Sequence, residues 1–480
     1  MMEALWKVPN TWAWSTLGEM ASWSSGGTPK ATEKRYYGGD IPWLVIGDLN
    51  DGVVKCSTKS ITPLGLHNSS CKFVEPGAIM IAMYGSIGKL GIAGLRCTTN
   101  QAIAFTRLVS GGVGKDFLFH YLMAVRNRLL ETGKGGAQAN ISQTVLKAFP
   151  VCIAPLPEQR RIEAKLEKLL GEVDACQKHL ARACVFLKRF RQSVLAAACS
   201  GRLTADWREE NQAGSVDRIP IDSDSGLPES WKSVCVGEVI ESLKYGTAQK
   251  CEYKQSGVPV LRIPNVANGT IDHSDLKYAQ LPTREIENLQ LRPGDVLLIR
   301  SNGSVSLVGK CALVREPERG FAYAGYLIRI RPLRTLITPE FLNMTLGSYN
   351  VRLQIELEAR STSGVNNINS DEVRALHMSL PPLGEQQEIV RRIDGLFALA
   401  DQIEIGYTKA KAHVDRLTPS VLGKAFRGEL VRQDPNDEPA SVLLEKIKSD
   451  PKANGSPKRR SEAIYDRENS ACTNTGGLEA

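Results

Sequence analysis

The side chains in this sequence that stand out as candidates for directed polar contacts lie at glycine- or asparagine-rich turns, and they come as two sets. In the first set, Lys30, Lys34, Arg35 and Tyr36 follow the turn Gly26-Gly27-Thr28-Pro29. Tyr84, Ser86 and Lys89 follow the apolar run Ala78–Ala82, Asn100 and Gln101 precede another such run, and Lys134, Gln138 and Asn140 stand in a glycine-rich stretch. The second set is Tyr245, Thr247, Lys250 and Lys254, then Arg300, Asn302 and Ser304, and last Arg360, Ser361, Asn366 and Asn367. Lysine and arginine neutralise phosphates, while side-chain amides and arginine forks match the paired acceptors and donors on base edges. This is the chemistry of recognising a polyanion without making or breaking bonds. Each group also has a plainer use, as a solvated basic loop, a hairpin turn or an asparagine-stabilised turn.

Residues for bond-making are hard to find, and no catalytic or metal-ligating residue is assigned. The nearest approach to a phosphate-binding G-x-x-x-x-G-K-[ST] loop is Gly303 to Cys311, which has five intervening residues and no hydroxyl after the lysine. Pro381-Pro382 stands in Leu-Pro-Pro-Leu, not in the Asn/Asp-Pro-Pro-aromatic tetrad of adenine methyltransferases. The six histidines form no H-E-x-x-H or H-x-E arrangement, and the eleven cysteines form no C-x-x-C pair, so they read as reduced thiols. A single-chain nuclease or methyltransferase would need a cofactor signature absent here. An adaptor that only joins other proteins would not need two elaborate domains.

Positioning these loops requires several folded units, since 480 residues exceed one compact core. Hydrophobic residues at 42% and charged residues at 23% suit soluble globular domains. No apolar stretch approaches a membrane span, and Met1 to Asn10 lacks the pattern of a signal peptide, so a cytoplasmic protein with no membrane partner is expected. The net charge of +8 is uneven: residues 1–150 carry 15 basic and 9 acidic groups, whereas residues 215–380 carry 19 of each. A polyanion-binding face on the second region must therefore separate its charges.

The chain is written twice. Pro9, Trp12, Gly18 and Glu19 recur as Pro228, Trp231, Gly237 and Glu238, and Gly27-Thr28 as Gly246-Thr247. Pro155-Leu156-x-Glu158-Gln159 recurs as Pro382-Leu383-x-Glu385-Gln386. Each repeat ends in a heptad seam: Ile162, Leu166, Leu169, Val173, Cys176, Leu180, Ala183, Leu187, Phe190 and Val194, and then Ile389, Ile393, Leu396, Ala400, Ile403, Tyr407, Ala410, Val414, Leu417 and Val421. Each seam runs about 50 Å and its simplest partner is the other helix, with the prolines and Glu158 or Glu385 as start signals. Short apolar runs between glycine and proline turns predict strand-rich domains, with helices over Phe117 to Leu130 and Pro339 to Leu357. The expected fold class is α+β: two strand-rich recognition domains joined by two long helices in an antiparallel, pseudo-twofold coiled coil. The expected boundaries are 1–150 and 228–380 for the domains, 151–204 and 381–433 for the helices, 205–227 for a linker and 434–480 for a mobile tail.

Two such domains, each followed by a helix opening in P-L-x-E-Q, resemble the specificity subunits of type I restriction-modification systems. The Trp12 and Trp231 motifs, the Gly-Thr pairs, Asn100-Gln101 and Gly135 to Ser142 (G-G-A-Q-A-N-I-S) share in the resemblance, which spans nearly the whole chain. It implies that each domain reads one half of a split double-stranded DNA target and that the helices act as a spacer. It implies assembly with two methyltransferase and two motor nuclease (restriction) subunits. S-adenosylmethionine, ATP and Mg would serve those partners, with no cofactor bound by this chain.

Overall fold

In the computed structural model, the described residues are 5–108, 113–133, 140–211, 227–267, 269–358, 360–362 and 365–449. The chain divides into two compact units, 1–178 with 411–480, and 179–410. Both mix strands and helices.

Unit 1 is built on a five-stranded sheet in the order Ala21–Ser25, Ile103–Leu108, Ile79–Ala82, Leu90–Ala93, Val53–Val54, with a four-stranded sheet formed around Tyr37–Leu44 and Cys97–Thr99. Ile79–Ala82 and Leu90–Ala93 are buried at every position, so they read as continuous apolar runs rather than alternating ones. The helices Lys115–Ala124 and Arg126–Thr132 cover the core through Phe117, Leu118, Tyr121, Leu122 and Leu129. Unit 2 repeats this plan. Ile240–Tyr245, Leu327–Pro332, Val296–Ile299 and Cys311–Leu313 form one sheet, and Pro339–Leu346 with Tyr349–Glu358 supply the helices.

A two-stranded ribbon closes each domain in the same register. Ala13 pairs with Ile153 in unit 1 and Lys232 with Leu380 in unit 2, which keeps the sequence offsets of 219 and 227. Each ribbon leads into a 44-residue helix, Leu156–Cys199 or Leu383–Phe426. In unit 1 the start of the first helix packs against the end of the second through Ile162, Leu166, Leu422, Ala425 and Phe426. In unit 2 the end of the first packs against the start of the second through Val194, Ala198, Ile389 and Ile393, with Arg191 2.6 Å from Asp401. Both pairings are antiparallel. The expected seam is buried toward the helix ends, while Cys176, Phe190, Ile403 and Ala410 are exposed.

The Glu of P-L-x-E-Q does more than face a helix dipole. Trp12 Nε1 donates to Glu158 Oε2 at 3.0 Å, and Trp231 Nε1 donates to Glu385 Oε2 at 2.9 Å. The neighbouring glutamine clamps each corner: Gln159 Oε1 accepts from Gly114 N at 3.0 Å, and Gln386 Oε1 from Thr338 N at 2.8 Å. The repeated tryptophan and P-L-x-E-Q motifs are thus two ends of one bond.

Two expected boundaries change. Residues 205–227 were expected to be a linker, but Ala205–Asn211 is a helix whose buried Arg208 pairs with Glu385; 212–226 lie outside the described residues. Residues 434–480 were expected to be a mobile tail, but Ala440–Ser449 is a helix that buries Ala440, Leu443, Leu444 and Ile447 in the unit 1 core. Residues 450–480 lie outside the described residues. Among the described residues no helix is long and apolar enough to cross a membrane.

Candidate nucleic-acid interface

In unit 1 the first turn lies tight against the strand ends. Gly27 N donates to Thr99 O at 2.9 Å, and a Cβ on Gly26 would fall 2.0 Å from the same oxygen, so the approach requires glycine. This brings the Thr28 hydroxyl onto Gln101 Oε1. The next links run through backbone: Met83 N donates to Ala102 O at 2.8 Å, Ile141 N donates to Met83 O at 2.9 Å, and Tyr84 bridges to Asn140. Gln101, Tyr84 and Asn140, far apart in sequence, therefore share one connected, exposed edge with Ser86 close by. Asn100 is half-buried, and its Oδ1 has no hydrogen-bond partner among the described residues.

Lys30, Lys34 and Arg35 are exposed on the adjoining loop, where Arg35 lies 5.7 Å from the Tyr36 ring centre and 3.2 Å from Glu33. Lys89 is used differently: its Nζ lies 3.3 Å from Ile46 O and 3.4 Å from Gly47 O, clamping a neighbouring turn. Lys134 and Gln138 lie outside the described residues.

Unit 2 repeats the ladder with different side chains. Arg300 N donates to Tyr326 O at 3.0 Å, Ile368 N donates to Arg300 O at 2.9 Å, and Ser301 and Asn302 pair with Asn367 and Asn366. Arg360 and Ser361 stand opposite Asn367 and Asn366 on the adjoining strand. The Arg300 guanidinium lies 4.5 Å from the Tyr245 ring centre, and its Nε donates to Asn367 Oδ1 at 3.2 Å. Asn302 Oδ1 accepts from Ser304 N at 2.9 Å, and Asn366 Nδ2 donates to Gly303 O at 3.1 Å, so these amides also brace the loop. Thr247 is 4% exposed, and its hydroxyl donates to Glu285 Oε1 at 2.7 Å and accepts from Gln249 N. It holds the turn and has no free polar atom to offer.

Ion pairing in this neutral domain is uneven. Arg262, Arg319 and Arg331 are neutralised by Asp275, Glu316 and Asp295, whereas Lys250, Lys254 and Arg300 make no ion pair among the described residues. Two exposed aromatics escaped the sequence reading: Tyr326, and Tyr253 with Lys277 Nζ 4.5 Å above its ring. Tyr326 holds the ladder position of Ala102, a match that motif offsets alone did not reveal.

The paired domains, the repeated loop ladder and the helices that follow them define a class. The type I restriction modification DNA specificity domain matches residues 9–181 and again 228–409, and the chain belongs to that family. It is 30% identical over 474 residues to the EcoKI specificity subunit of Escherichia coli K12, covering 94% of this chain and 98% of the relative. It is 28% identical to the StySPI specificity subunit of Salmonella potsdam, over 94% of this chain and 98% of the relative. Among solved structures, a chain of a type I R-M system studied for complex assembly and conformational transition shares the fold, with a TM-score of 0.67 and 21% identity over 88% of this chain and 100% of that one. The HsdS subunit of Thermoanaerobacter tengcongensis aligns over 90% of this chain and 100% of its own, with a TM-score of 0.51 and 20% identity.

Proposed function

We propose that this chain reads a split, asymmetric target in double-stranded DNA, one part with each recognition domain, and that it holds methyltransferase and motor nuclease subunits around that target. The observation that carries this reading is the loop ladder, built in one register in both domains but dressed with Tyr84, Gln101 and Asn140 in one and with Arg300, Asn302 and Asn367 in the other. One backbone frame with two sets of side chains suits two different half-targets. The chain itself performs no chemistry. S-adenosylmethionine, ATP and Mg act on the partner subunits, and Val185, Phe186, Leu399 and Ile405, exposed on the long helices, offer apolar surface for methyltransferase helices.

The test is to co-express the chain with its methyltransferase subunit and map N6-methyladenine across host DNA. A split, asymmetric motif is expected. An intact complex that yields no motif would replace DNA reading with a purely joining role, and methylation by the chain alone would overturn its non-catalytic assignment. The helices also act as a ruler: inserting one heptad in each, about 10 Å of rise, should lengthen the unread spacer of the motif, and an unchanged spacer sinks that idea.

A further inference from the structure

Among the described residues, Arg300 is the one half-buried arginine of unit 2 that the fold holds by a ring and an amide alone. Arg191, Arg208, Arg262, Arg331, Arg352 and Arg392 each face a carboxylate, and Arg329 is spent on the carbonyls of Asn288 and Gln290. Arg300 rests on the Tyr245 ring at 4.5 Å and uses Nε on Asn367 Oδ1 at 3.2 Å. Its backbone is fixed at both N–H and carbonyl by the loop ladder, and the Tyr245 hydroxyl is itself held by Ser370 N at 2.9 Å. Nη1 and Nη2 have no partner among the described residues. The result is a cation whose plane and position are set by neutral groups and whose end-on fork is unspent, at the centre of the loop cluster.

We infer that Arg300 reads a guanine, through its O6 and N7, in the half-target met by the second recognition domain. This rests on the DNA-reading function proposed above. The chemistry selects guanine because a planar fork with two parallel donors matches two adjacent acceptors, which only guanine presents in the major groove. A phosphate can also take the fork, but it needs only the charge and would accept an ammonium in its place, so it gives no reason for an arginine held at a fixed angle. The first domain has no counterpart, since the equivalent ladder position there is Met83, buried in the core. The inference therefore assigns the guanine contact to one half-target only.

The experiment is a methylation map of the complex carrying wild-type chain, Arg300→Ala or Arg300→Lys, followed by binding of each complex to target duplexes holding 7-deazaguanine at the assigned position. The wild-type motif should contain a guanine in the half assigned to the second domain. Both variants should relax that position, losing roughly tenfold to a hundredfold in discrimination, while the other half stays unchanged. Removing N7 should weaken wild-type binding but leave Arg300→Ala unaffected, a readout that a merely misfolded variant would not give. A second half-target without guanine, a motif unchanged by either variant, or an even loss across all sequences, as a phosphate contact would give, overturns the inference. A wild-type complex that yields no motif overturns DNA reading itself and the inference with it, whereas a split motif untouched by Arg300 variants overturns the inference alone.

Discussion

The corners where the two long helices begin and end share one frame and fill it in opposite ways. At the start, both glutamates accept a tryptophan N–H, but the second carboxylate oxygen of Glu158 meets Gln433 Nε2 at 2.6 Å, whereas that of Glu385 meets Thr204 and the buried guanidinium of Arg208. At the end, Phe426 in unit 1 and Cys199 in unit 2 hold equivalent places. The Phe426 ring centre lies 5.2 Å from those of Phe117 and Tyr121, and its carbonyl accepts from Trp6 Nε1 at 2.6 Å. Beside Cys199 there is instead a cavity of about 320 Å³, lined by Gln192, Ser193, Ala196, Ser348, Tyr349 and Asn350. Unit 1 closes its corner with aromatic packing and a neutral amide, while unit 2 relies on an ion pair and leaves space. The polar clamp is what both copies keep, because it orients a helix; the filling around it varies.

The sharpest test of that contrast is Glu385→Ala against Glu158→Ala. Removing Glu385 strands Arg208 in the interior, which should cost about 3–5 kcal/mol. Removing Glu158 orphans only neutral donors, at about 1–3 kcal/mol. Hydrogen exchange in the matching unit reads both, and equal losses would mean that the Arg208 pair is no different from an amide contact. Packing should show the opposite order. Phe426→Ala should destabilise unit 1 by about 3–5 kcal/mol, whereas Cys199→Ala, beside an existing cavity, should change unit 2 by under about 1 kcal/mol. A large loss at Cys199 would show that the thiol, not the cavity, governs that corner.

The repeat made much of this legible, because constant offsets carry both the ribbon register and the Trp–Glu bond. What escaped were links whose partners are distant or small. Arg208 lies in a polar stretch without periodicity, and only Glu385, 177 residues away, gives it a reason to be buried. The helix Ala440–Ser449 does carry a signal, with Ala440, Leu443, Leu444 and Ile447 at the i, i+3, i+4, i+7 spacing, but the polar residues after it read as a tail. The heptad seam gave the pairing but not its depth, since periodicity marks a face and not how closely a partner covers it. Of the candidate contacts, Gln101, Tyr84 and Asn140 come together in unit 1, and Arg300 and Asn367 come together separately in unit 2. Thr247 and Lys89 are taken up by their own turns, for which lone residue types give no warning.

A smaller effect sharpens the same comparison through pH. Burial pushes the Glu158 carboxyl above the usual carboxylate range, although the bonds from Trp12 and Gln433 and the charge of Arg161 pull it down; nearby Asp437 adds to the rise. With the folded-state pKa raised, the folded chain holds this proton more tightly than the unfolded chain. The resulting stability is fully present below the unfolded value of about 4.3 and is lost as pH climbs through the folded value. The stability difference between wild type and Glu158→Gln, in which most other titrations cancel, should therefore shift in favour of the glutamine variant as pH rises from about 4 toward neutrality. Urea unfolding at several pH values, followed by hydrogen exchange in unit 1, measures that difference. A gap that stays flat across the range would mean that the carboxylate is ionised at no cost, and that the Trp12 and Gln433 donors with nearby Arg161 stabilise its buried charge as well as the direct arginine contact does in unit 2.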